Sequence, residues 1–151
     1  MNEPGAAIVA QYAALNGRLR DVVRGLDVAA LDRSPAEGEN TIAVLVMHTI
    51  GSERGWLSLA AGRTHQRDRE AEFGTRGRAP DDLVAAIDAA DVAMRDLVDA
   101  AVGAGLETIR TTGDGRSWTV ARCVAHSLAH TAEHVGHAEL TRNLVSPRPA
   151  A

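Results

Sequence analysis

Lysine is absent from this chain: all 16 basic residues are arginines, and they are interspersed with 20 acidic residues. The lysine deficit reads as the base composition of a GC-rich coding sequence, not as chemistry. At a net charge of −4 there is no basic stripe and no aromatic platform beside one, which argues against nucleic-acid binding. Cysteine occurs once, at Cys123, so no intramolecular disulfide framework is possible. Aromatic residues make up only 3% of the 151 residues, against 45% hydrophobic. That balance suits Ala- and Leu-rich packed helices better than a β-sandwich. No apolar run approaches the ~18 residues of a membrane span. The N-terminal stretch lacks a basic segment followed by an apolar one, the order of a signal peptide. A single cytoplasmic domain over residues 1–151 is the expectation, long enough to bury a core without staples.

Histidine, in contrast, is concentrated. His126, His130, His134 and His137 all lie in the C-terminal segment. At about 100° per residue they fall within roughly an 80° arc of one helix. His130 and His134 are four apart, the separation at which two helical imidazoles can share one ion. His48 sits in a second apolar segment. On a helical wheel it shares an inward face with Val44, Leu45, Ser52, Gly55, Trp56 and Leu59. One His from one helix and a His-x-x-x-His pair from another make a three-nitrogen metal site inside a helix bundle.

Periodicity and caps predict four helices, over about residues 4–26, 40–62, 80–103 and 117–145. Pro4 and Pro80 suit first turns, Asn40 or Thr41 an N-cap, and Asp81 and Asp82 the positive end of the third helix dipole. Gly51 and Gly55 cost helix propensity, and either leave space beside His48 or only permit close packing. Residues 63–79 read as a charged connection without apolar period, either a lid or a mobile loop. Asp114-Gly115 allows a tight bend, and SPRPAA is a tail. The fourth helix also carries Val124, Leu128 and Val135 on its far side, a second apolar face for other helices or for a partner subunit.

Three neutral imidazoles without thiolates suit Zn²⁺, Ni²⁺, Fe²⁺ or Cu²⁺ better than Mg²⁺ or Ca²⁺. Three protein ligands leave a coordination position open, the arrangement of a catalytic site. Such a position lowers the pKa of bound water or holds a thiol as thiolate. His126 and His137, a turn to either side of the pair, either support the ligands from behind or meet substrate. Glu133 is a candidate general base or a rim residue. The competing interpretation is an unmetallated polar seam, which is disfavoured because burying several imidazoles without partners costs stability. Cys123 reads as a small core residue, Trp56 and Trp118 as core anchors, Asp114 as a turn residue and His65 as solvated. Arg54 and Arg142 suit surface salt bridges, with a substrate carboxylate as the alternative.

The stretch from Asn40 through His48, Gly51, Glu53, Arg54 and Trp56 resembles the second-helix motif of the DinB superfamily of metal-binding four-helix bundles. The stretch His126, His130, His134, Gly136, His137, Ala138, Glu139, Leu140 and Arg142 resembles its fourth-helix motif, and DREAEF resembles its middle loop. The closest likeness is to the mini-DinB members classed as mycothiol-dependent S-transferases. The resemblance implies an all-α four-helix bundle with up-down-down-up topology and a long crossover between the second and third helices. It also implies a divalent metal on His48, His130 and His134, Zn or Ni first, and a homodimer. Mycothiol-type members often carry Glu where this chain has His130, whereas other branches use His.

Three functions follow as expectations. The first is a metal-dependent thiol S-transferase or isomerase presenting a low-molecular-weight thiol, mycothiol foremost, as a metal-bound thiolate to an electrophile. The second is a metal-dependent hydrolase using metal-bound water. The third is a non-catalytic metal-binding protein of a stress response. No membrane or nucleic-acid partner is expected.

Overall fold

The computed structural model describes residues 3–146; Pro147 to Ala151 of the predicted tail lie outside them. Four long helices dominate: α1 Glu3–Val23, α3 Ile42–Ala60, α5 Pro80–Gly103 and α6 Val120–Val145. Between them lie two single-turn helices, α2 Val28–Leu31 and α4 Arg69–Phe73, and an antiparallel ribbon of β1 Ile109–Thr111 with β2 Ser117–Thr119. Thr41 caps α3 by accepting from the Val44 N–H at 3.2 Å, so of the two N-cap candidates Thr41 takes the role.

Two boundaries and one connection correct the sequence expectation. The first helix stops at Val23 rather than near Leu26, because Gly25 adopts φ 75° and reverses the chain. The fourth helix begins at Val120, not near Ser117. Ser117 to Thr119 pair instead with β1, and Thr119 caps the helix by accepting from the Arg122 N–H. The charged connection of residues 63–79 is not featureless: Asp68 caps α4 within it, accepting from the Ala71 N–H at 2.9 Å.

Each long helix packs on two neighbours, α1 and α3 both lying against α5 and α6. At one end Arg18 grips Glu139 with Nε and Nη2 at 2.8 and 2.7 Å. Nearby Arg142 donates to the carbonyls of Asp21, Val22 and Arg24 at the end of α1. Arg142 therefore closes a helix C-terminus and, among the described residues, pairs with no carboxylate, in place of its expected surface salt bridge.

The core divides into two apolar clusters. One gathers Leu19, Val23, Ile42, Val46, Leu83 and Ile87; the other gathers Val9, Tyr12, Leu57, Met94, Trp118 and Cys123. Between them every long helix places polar residues: Asn16 on α1, Ser52 and Glu53 on α3, Asp91 on α5, Ser127 and Thr131 on α6. Asn16 Nδ2 donates to Asp91 Oδ1 at 2.8 Å and to Glu53 Oε2 at 3.3 Å, and Arg20 pairs with Asp91. Val124 and Val135 are buried against the chain's own helices, so that second face of α6 is used internally. Leu140 and Leu144 remain exposed. Among the described residues no helix is long and apolar enough to cross a membrane.

Candidate metal centre

His48 lies on α3 where it faces α6, and the i, i+4 spacing of α6 delivers His130 and His134 opposite it. Each of the three offers one ring nitrogen, and these atoms lie within 4.8 Å of one another. The rings meet edge to face, with centroids 4.8 Å apart for His48 and His134 and 4.3 Å for His130 and His134. Burial is the leading cause that lowers the pKa of all three below the ordinary histidine value, and His134 falls to about 4. The imidazoles are thus neutral at physiological pH, as ligands must be.

His48 is held from behind by groups that sequence reasoning missed. Its Nδ1 lies 3.0 Å from Glu72 Oε2. Arg67 clamps the same carboxylate, donating Nε to Oε1 and Nη2 to Oε2, both at 2.7 Å. Arg67 Nη2 also approaches His48 Nδ1 at 3.1 Å. The carboxylate only accepts and the guanidinium only donates, so the two contacts call for opposite tautomers. The shorter one, to the charged carboxylate, favours Nδ1–H donating to Glu72, which leaves the Nε2 lone pair for the cluster. Glu72 is 8% exposed and reaches this depth because Gly51 has no side chain. A Cβ there would collide with the Glu72 carboxylate. Gly51 therefore makes room for the partner of His48, which gives one of the two roles weighed for it a definite form.

The residues fit a divalent ion. His134 Nδ1 is buried with no hydrogen-bond partner among the described residues, an arrangement that costs energy in a bare protein and is relieved by a ligand bond. Three imidazoles, one of them backed by a carboxylate, are a borderline-soft donor set suited to Zn²⁺ or Ni²⁺.

His126 and His137 extend the row without joining the triad, stacked 5.9 Å from His130 and edge-on 5.6 Å from His134, respectively, and both are exposed. Glu133 is exposed as well, yet near enough for its charge to favour protonation of His130 and His134. Two of the cavities lie close to the centre or to the groups that support it. One of about 490 Å³ is lined by His134 and His137 with Leu45, Leu140 and Leu144. The other, about 480 Å³, lies past Trp56 and Arg67, under the hairpin loop. Cys123 is fully buried and burial raises its thiol pKa, so it is a core residue.

A family model for the DinB superfamily matches residues 11–138. The chain belongs to the DinB superfamily. A solved structure, described as a conserved protein from Enterococcus faecalis, superposes on this DinB bundle with a TM-score of 0.78. It covers 96% of this chain and 98% of its own at 14% identity, so the likeness speaks to fold alone. No curated protein matches the sequence. The shared fold supports an all-α DinB-like bundle, and this chain also carries a small two-stranded ribbon.

Proposed function

We propose that this DinB protein is a divalent-metal-dependent thiol S-transferase or isomerase, with His48, His130 and His134 as metal ligands and mycothiol as its first candidate thiol. One observation carries the proposal: three ring nitrogens within 4.8 Å, with His48 oriented by a buried carboxylate. When bound there, Zn²⁺ or Ni²⁺ supplies Lewis acidity that lowers the pKa of a thiol. The chain's own residues do the rest. Glu72 fixes the His48 tautomer, burial keeps the imidazoles neutral, and the cavity beside His134 gives access from outside. His126 and His137 stand at either end of the triad, where they meet substrate in this reading.

The pairings of α1 with α6 and of α3 with α5 and α6 support an up-down-down-up bundle, with residues 63–79 as its crossover. A homodimer belongs to the same proposal, and light scattering in solution tests it.

A hydrolase is the second reading, favoured by Glu133, whose charge acts on two of the three ligands. Full activity in Glu133→Gln would count against it.

The test is the metal content of purified, untagged protein beside His48→Ala and His130→Ala, followed by mycothiol titration. The expected result is close to one ion per chain, lost in both variants, with thiol binding only to loaded protein. Metal without thiol binding moves the assignment to hydrolysis or to a non-catalytic role. No metal under any loading condition overturns the site.

A further inference from the structure

The cavity beyond Trp56 has a composition that the metal centre does not explain. Its wall carries three guanidinium groups, Arg63, Arg67 and Arg116, with His65 and the Trp56 indole. The single carboxylate in that wall is Asp114. Asp114 is committed to Arg116, 2.7 Å away, and to Thr112. The other two arginines find their acidic partners outside the wall, Arg67 on Glu72 and Arg63 on Asp96. Each guanidinium has five N–H donors, more than these contacts take. His65 is half-buried, and burial, with the charges of Arg54 and Arg67, opposes its protonation. The wall thus offers guanidinium N–H donors beyond those taken by the arginines' own ion pairs, beside an indole.

The aromatic part is rigid. Trp56 stacks on Trp118 with centroids 4.7 Å apart and planes 20° from parallel. The Arg122 guanidinium lies over the Trp118 ring at 4.1 Å, and His126 sits edge-on to both indoles. The cavity also adjoins the metal centre twice. Arg67 reaches the carboxylate that orients His48, and Trp56 connects through His126 to His130.

We propose that this cavity is an anchoring subsite for the anionic group, carboxylate or phosphate, of a planar substrate, held by Arg63 and Arg116 beside Trp56. Guanidinium forks bind both oxyanions in the plane of their oxygens, and the indole gives a flat apolar wall for the rest of the molecule. The substrate role rests on the metal-centre reading above; the binding itself does not.

The test exploits the tryptophans, of which the chain has two, one in the wall and one stacked on it. Quenching of their fluorescence is titrated with 4-nitrobenzoate, 4-nitrophenyl phosphate and uncharged 4-nitrobenzamide, on wild type, Arg63→Gln/Arg116→Gln and His130→Ala. Arg67 is left intact because it supports His48. The expected result is saturable quenching by at least one anion, about tenfold tighter than by the amide, and about tenfold weaker in the double variant. His130→Ala binds the anion as wild type does, so a failed metal assignment leaves this result standing. Whichever anion binds more tightly identifies the group recognised. Equal binding of anions and amide, no saturation, or indifference to the double substitution each overturns the subsite. Unchanged circular dichroism and metal content in the double variant show that it is folded, as expected because both arginine pairs are exposed.

Discussion

At the scale of single residues, two buried carboxyls matter most, Glu72 behind the centre and Glu53 in the core. Glu72 orients His48 and is the first target. Glu72→Gln keeps the size but loses the charge that grips Arg67, and metal affinity should fall about 10–100-fold, measured by competition with a chromogenic chelator. Gly51→Ala alters no polar group, yet its methyl collides with the Glu72 carboxylate. It should reproduce much of that loss, and unchanged affinity would contradict the packing described here. Glu53 is the second group. It is 2% exposed, and burial pushes its pKa up to about 8 from 4.5. The folded carboxyl therefore keeps its proton while the unfolded chain ionises, so stability falls as pH rises from about 4.5 to 8. Glu53→Gln removes that loss and should stabilise the protein by up to about 3 kcal/mol near pH 7 in urea unfolding, with little change at pH 4. The triad was legible in the sequence because imidazoles at helical spacing mark a face. Glu72 and Arg67 were not, because a loop brings them to His48 from positions with no periodic relation to it.

At the scale of elements, the long helices were legible and the short ones were not. A helix of 24 residues such as α5 repeats its apolar period many times, whereas α2 and α4 span one turn each and the two strands three residues each. Such pieces have no period to read. Gly115, at φ 82°, supports the bend seen at Asp114-Gly115, but the pairing of Ser117 to Thr119 with β1 depends on a partner that local pattern does not reveal. The small element α4 matters more than its length suggests, because it carries Glu72. Asp68→Ala deletes its cap, worth about 1 kcal/mol. Loss of metal to excess chelator should be faster in that variant while the unfolding temperature of the apo protein moves little. A large drop in that temperature would mean that α4 is integral to the core.

For the whole molecule, the centre ties stability to pH and to metal. His48, His130 and His134 all have folded pKa values below the unfolded 6.5, with His134 at about 4. As pH falls below about 6.5 the unfolded chain takes up protons first at these three positions, so their contribution to the apo protein's stability should fall down to about pH 4, opposite in sign to that of Glu53 and seen without it in Glu53→Gln. Bound metal should raise the unfolding temperature at neutral pH in a concentration-dependent way, and a chelator should reverse it. Below about pH 6 that increment should shrink, because protons compete for the same nitrogens. Calorimetry across pH with and without Zn²⁺ checks both, and a metal increment indifferent to pH would contradict imidazole ligation.

The order in which the ligands occur along the chain has a consequence for biosynthesis. His48 is on α3, but His130 and His134 are both on α6, the last helix. A growing polypeptide exposes His48 early and the other two only when more than half of α6 has been made. Until then the nascent chain offers one imidazole of the three, too few to hold a divalent ion. Products that stop short of residue 130 lack two of the three imidazoles, so under the proposed metal assignment uptake waits until the last helix has docked.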